Sequence, residues 1–257
     1  MALGPSWVIA FNAFSFLVSF LALLFLRVAV SHQGQGQKPP SYWSSFKEGL
    51  KFFVSNRALV VLLITGMIFM FAGMIYNSFA YLFGVENLHV PESLLGVYVA
   101  CLGLGVVAGM PLTAFLARRL GEVRILWIFL ICHGISSVLL SRMTSMLPGM
   151  LCLVVRGFFS TCIFVTVRPL ILRVTPRDFI GRVMAFQQPL ITVASLLGGT
   201  LAGILTSTLL AHLHATIAGF VFGPLDTMFT AVGILVICAG LFAMLVLPKA
   251  LEGIKNT

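Results

Sequence analysis

Polar positions are sparse along this chain and fall in clumps. Between Arg57 and Glu86, the stretch from Ala58 to Val85 holds no charged residue. About 20 apolar residues already span a bilayer. Comparable runs recur along the chain and predict seven membrane spans, over 5–30, 58–83, 92–117, 125–146, 147–174, 183–209 and 226–248. Backbone amides in lipid need partners within the protein, which leaves helices or a closed barrel. Barrel strands alternate apolar and polar residues, and no long stretch here does so. The expected fold class is all-α integral membrane, a bundle of about seven transmembrane helices.

The joints between runs organise the chain. A single span over 1–31 precedes a linker over 32–57, a six-helix bundle over 58–248 and a tail over 249–257. In the linker, Gln33 to Pro40 is rich in Gly, Gln and Pro and has little to pack. Ser45 and Glu48 then match the S-x-x-E capping box that opens a helix. Phe46, Leu50, Phe53 and Val54 share one face of it, with Lys47 and Lys51 off that face. Such a helix suits either an anionic membrane surface or the ends of the spans. Met143 to Pro148 is the tightest joint, and the connection 210–225 is apolar enough to be partly interfacial. Gly105 and Gly109 in one span, and Ser195, Gly199 and Gly203 in another, are spaced four apart, as in helix faces that pack closely. Static packing and movement of one helix along another both suit these faces.

Charge fixes an orientation. Of sixteen Lys and Arg residues, thirteen fall on one side: Arg27, Lys38, Lys47, Lys51, Arg57, Arg118, Arg119, Arg124, Arg173, Arg177, Arg182, Lys249 and Lys255. Only Arg142 falls on the other. The positive-inside rule makes the rich side cytoplasmic, and with it the C-terminus, in a cell (inner) membrane. The net charge of +9 therefore belongs to membrane loops, and no nucleic-acid partner is expected. With 60% hydrophobic and 9% charged residues and a mean hydropathy of +1.09, lipid is the expected surrounding. The five cysteines lie inside apolar runs and read as small buried hydrophobes. His212 and His214 form H-x-H without a third ligand, which is a weak metal pattern. No nucleophile–base set, phosphate loop or cofactor motif occurs, so neither an enzyme nor a cofactor is expected.

Polar groups inside spans are the candidate chemistry. Arg156 lies deepest, where a cation is costly. It suits a cavity facing an anionic or polar substrate, a partner carboxylate, or a side chain snorkelling outward. Arg168 lies nearer Arg173 and is expected to snorkel. His133 is placed either to titrate or to sit neutral, bonded to a nearby carbonyl. Tyr76 with Asn77, and Gln187 with Gln188 beside the helix-breaking Pro189, are candidate linings of a substrate path. Glu86, Glu92 and Asp226 sit at outer span ends, where Glu92 after Pro91, and likewise Asp226, suit a helix start, so no carboxylate proton carrier is visible within a span.

Several segments together resemble one family. Gly4-Pro5-Ser6-Trp7 leads into Phe11-Asn12-Ala13-Phe14-Ser15-Phe16. Phe46-Lys47-Glu48-Gly49-Leu50-Lys51-Phe52 precedes Asn56-Arg57-Ala58-Leu59, and Thr175-Pro176-Arg177-Asp178 precedes Gly181-Arg182-Val183-Met184. In this order they resemble the C-terminal half of a major facilitator superfamily transporter of the drug and siderophore exporter type: the sixth helix, then helices seven to twelve. The resemblance implies export of a small-molecule substrate by alternating access, and a missing N-terminal half or second chain as partner. It also marks Arg118, Gly121, Glu122 and Arg124, with Asp178, Gly181 and Arg182, as conformational hinge candidates. Arg118 stands where the family's loop motif has an acid and Glu122 where it often has a base, so a salt bridge across the hinge would have its ends exchanged. A non-transporting membrane interaction or scaffold subunit, or an inactive fragment, is the alternative.

Overall fold

The computed structural model describes residues 5–25, 42–208, 215–217 and 220–255. The Gly/Gln/Pro linker, Gly4, Arg27, Lys38, His212 and His214 lie outside these residues. The chain divides into two compact units, Met1–Ser41 and Tyr42–Thr257. In the first, helix α1 covers Pro5–Leu24 and is apolar, but its described apolar stretch, Ile9–Leu24, is shorter than the other spans.

The second unit is a helical bundle. Helix α2 (Tyr42–Ser55) is followed by α3 (Arg57–Glu86), α4 (Leu95–Leu120), α5 (Glu122–Leu140), α6 (Met146–Val174), α7 (Ile180–Thr208) and α8 (Pro224–Lys255). Six of its helices are long and apolar enough to cross a membrane. The all-α integral membrane class is therefore observed, with six such helices among the described residues where seven were expected. Within 210–225, Ala215–Ile217 and Phe220–Phe222 pair as a short antiparallel hairpin.

Boundaries follow local chemistry. Asn56 caps α3, its Oδ1 accepting from the amides of Ala58 (3.1 Å) and Leu59 (3.3 Å). Its Nδ2 donates to the Val174 carbonyl at 3.3 Å, so one side chain joins the start of α3 to the end of α6. Pro91 and Glu92 open a 3-10 turn leading into α4. Gly121 separates α4 from α5 at φ 80°, a left-handed conformation that glycine adopts without a Cβ clash. The joint between α5 and α6 covers 141–145, since Met146 already starts the next helix.

Packing follows a two-fold pattern. Helix α3 packs on α7 and α8, and α6 packs on α4 and α5, while α5 and α8 pack on each other. Exchanging α3, α4, α5 with α6, α7, α8 maps this set onto itself. The two triplets start from opposite ends of the bundle, so they are inverted-topology repeats of the kind transporters use. Glycines bring the backbones together: a Cβ on Gly105 would meet the Val154 carbonyl oxygen, and one on Gly157 that of Leu102. Gly134 and Gly233 face each other likewise, each hypothetical Cβ within 2.6–2.8 Å of the other's carbonyl oxygen. On α7, Gly198 lies against the Phe71 carbonyl and a Cβ on Gly199 would lie 3.2 Å from the Met74 side chain; Gly203 has open space, so only part of the expected Ser195, Gly199 and Gly203 face is close-packed.

Helix α2 lies on the span ends. Phe52 stacks on Phe179 (centroids 4.8 Å apart) and Phe53 meets Phe186 edge-on at 5.3 Å. Phe53 is 1% exposed whereas Val54 is 64% exposed, so Val54 does not share the buried face assigned to it. Ser45 is also not the helix start, since α2 begins at Tyr42, and Glu48 bonds elsewhere. Its Oε2 accepts from Arg182 at 3.1 Å.

Candidate functional site

The residues expected to line a substrate path gather in two adjoining cavities inside the six-helix bundle. One, of about 200 Å³, is lined by Tyr76 and Asn77 from α3, His133 from α5, Arg156 and Ser160 from α6 and Ser195 from α7. The other, of about 210 Å³, is lined by Thr65 from α3, Arg168 from α6 and both Gln187 and Gln188 from α7, within a mostly aliphatic wall. Phe69, Met70 and Phe164 line both. The inverted repeats explain the meeting point: α3 and α6, the first helices of the two triplets, supply residues to both cavities.

Arg156 is the electrostatic centre. It is 4% exposed, so its side chain stays inside the bundle and does not snorkel outward. Its Cζ lies 3.4 Å from the centroid of the Tyr76 ring, and its Nε donates to Ser137 Oγ at 3.1 Å. A desolvated guanidinium over an aromatic face gains about 2 kcal/mol or more, which offsets part of the cost of burial. His133 is as buried as Arg156, with its ring edge-on to Phe69 at 5.2 Å. Its Nδ1 finds no hydrogen-bond partner, and neither does Oε1 of the buried Gln187. Asn77 and Gln188 are exposed at the margins of their cavities. Arg168, expected to snorkel, is exposed and also lines the second cavity. A long side chain six residues before the helix end at Val174 is compatible with both.

The Major Facilitator Superfamily model matches residues 1–199 and, in an overlapping alignment, 85–256. The chain belongs to the Major Facilitator Superfamily. It is thus a multi-pass membrane transporter by family, and no curated protein matches it individually.

In this superfamily member the expected hinge residues fall at the end of the bundle that carries most of the arginines. Gly121 and Glu122 form the α4–α5 corner, and Glu122 Oε2 lies 4.0 Å from an Arg173 nitrogen at the end of α6. That atom has no hydrogen-bond partner and is buried, so the contact is an ion pair at the limit of direct interaction. The acid therefore looks across to α6; Arg118 is exposed and no ion pair joins it to Glu122 among the described residues. Arg124 is exposed. Asp178 lies in the 3-10 turn Arg177–Phe179, a Cβ on Gly181 would meet nothing within 4 Å, and Arg182 bonds Glu48. A Cβ on Gly49 would lie 2.8 Å from Arg182 Cβ, so α2 rests directly on the start of α7.

At the other end a polar cluster joins three helices. Asn87 Nδ2 donates to Asp226 Oδ1 at 2.5 Å, and Arg142 donates to Thr230 Oγ1 at 2.8 Å. Ser141 and Thr230 hydroxyls lie 2.9 Å apart. Arg142, read from sequence as a lone cation, thus sits in a network with the first turns of α8.

Proposed function

We propose that the chain is the C-terminal half of an exporter that moves small molecules by alternating access, with its arginine-rich side and C-terminus in the cytoplasm of a cell (inner) membrane. The observation that carries this reading is the pair of adjoining cavities between the two inverted triplets, with Arg156, Tyr76, Asn77 and His133 at one and Gln187 and Gln188 at the other. They form the substrate path. The hinge residues Arg118, Gly121, Glu122, Arg124, Asp178, Gly181 and Arg182 form the end that opens and closes. The partner is the rest of the N-terminal transporter half, helices one to five, or a second chain, and the drug and siderophore exporter type is supported by the order of segments from Phe46 to Met184. Ion coupling in the complete protein falls to groups outside these linings, which contain no Asp or Glu.

The test is efflux from loaded vesicles holding this chain with the N-terminal part of a transporter, helices one to five. A panel of fluorescent efflux dyes and iron chelators serves as substrate. Arg156→Ala is expected to lower flux about tenfold or more, since hydrogen bonds to charged groups are worth about 1.5–3 kcal/mol, with membrane insertion retained. Flux at the unaltered rate in that variant would remove Arg156 from the path.

A further inference from the structure

Two cations and no acid line the joined cavities. Arg156 lies in one and Arg168 in the other, and neither lining includes Asp or Glu. Among the described residues the Arg156 guanidinium lies over the Tyr76 ring and donates to the Ser137 hydroxyl. The described groups that interact with it beyond these are the Tyr76 and Tyr98 hydroxyls and the Cys152 thiol, with no carboxylate among them. Guanidinium carries five N–H donors in one plane, more than the Ser137 and Tyr76 hydroxyls engage. A charge held at membrane depth without a counter-ion is costly. The same cavities also hold two buried polar atoms without partners, His133 Nδ1 and Gln187 Oε1. Beyond these groups the shared wall is Phe69, Met70 and Phe164.

We infer that the path takes an amphipathic organic anion, whose carboxylate-type head lies edge-on to the Arg156 guanidinium and whose apolar body rests on Phe69, Met70 and Phe164. The inference rests on the transport path proposed above and names its substrate class. Carboxylates accept two parallel N–H bonds from an arginine fork, which an edge-on approach permits. Cavities of about 200 and 210 Å³ suit a body of small-ring size, since sites for drug-sized ligands run to about 300–1,000 Å³.

Three probes of one shape test this: 2-naphthoate, 2-naphthamide and 2-naphthylmethylammonium. Binding to the chain in phosphatidylcholine nanodiscs is read by equilibrium dialysis against empty nanodiscs. Naphthoate is expected to bind about tenfold or more tightly than the amide, with the ammonium weakest. Arg156→Gln removes that preference while its circular dichroism and detergent-unfolding midpoint match the parent's, which shows that the fold survives; Arg156→Lys keeps a reduced preference, because a point charge lacks the fork. Should Arg156→Gln not fold, Arg168→Gln at the exposed cavity margin is expected to weaken naphthoate alone, by a smaller factor. Equal affinity for the three probes, preference for the ammonium, no binding of any probe, or an unchanged preference in Arg156→Gln overturns the inference. Flux of the same probes in vesicles separates the two proposals. Anion-selective binding without flux sinks the transport path, whereas flux without charge preference sinks the anion assignment alone.

Discussion

Gly157 is the position where one methyl group is expected to do most damage. In Gly157→Ala the new Cβ would point at the Leu102 carbonyl oxygen, with the carbonyl carbon at 3.1 Å and the Val106 amide nitrogen at 3.2 Å. Every obstacle is main chain, so no rotamer change makes room. Helices α4 and α6 must part by on the order of an ångström, which forfeits a quarter to a half of the dispersion well across the contact. Overpacking costs about 1–3 kcal/mol, and a main-chain obstacle puts this case near 3. Gly103→Ala, on α4 with nothing within 4 Å of its Cβ position, is the matched control. It gains up to about 1 kcal/mol of helix propensity. Gly157→Ala gains the same propensity, so the two variants should differ by about 3 kcal/mol, about two powers of ten in the unfolding equilibrium. Titration of both with dodecyl sulfate in mixed micelles, followed by circular dichroism, measures that difference. Unfolding of both at the same detergent fraction would refute the assigned α4–α6 contact.

Asn56→Ala removes the α3 cap and the bond to Val174; a loss of about 1–2 kcal/mol is expected in the same titration, and Asn56→Asp, which keeps the cap but not the donor, should fall between. Phe53→Ala is expected to cost about 3 kcal/mol or more and to free α2 to proteolysis, whereas Glu48→Gln, breaking an exposed ion pair, should change stability by less than about 1 kcal/mol; the reverse order would mean that charge holds α2 in place. For the threading, Glu92→Cys and Arg177→Cys, both exposed, are introduced into a cysteine-free background. An impermeant thiol reagent on intact cells should label the first and spare the second, and equal labelling would reject the orientation.

The spans were legible because lipid imposes long uncharged runs. Arg57, Glu86, Leu120, Glu122 and Val174 bound helices close to where the charge pattern put them. What each helix buries was not legible. In a soluble protein the polar face announces the exterior, but here core and lipid are equally apolar, so periodicity says little about facing. That is why Gly198 rather than Gly203 makes the close approach on α7, and why Val54 faces away from the α2 contact. The polar cavity-lining residues Arg156, Tyr76, Asn77, His133, Gln187 and Gln188 stood out in the sequence, because they are polar against an apolar ground. Phe69, Met70 and Phe164, which join the two cavities, resemble any other lipid-soluble side chain and carried no signal.

The facing pair Gly134 and Gly233 ties two distant codons together. Each bare Cα sits against the other's carbonyl, so whichever position first acquires a side chain forces α5 and α8 apart and bears nearly the whole penalty. The second substitution then enters a gap already opened and costs little more, which is the epistasis expected of residues in contact. Lineages of this chain should therefore keep both glycines or lose both, with single replacements as the rare intermediate.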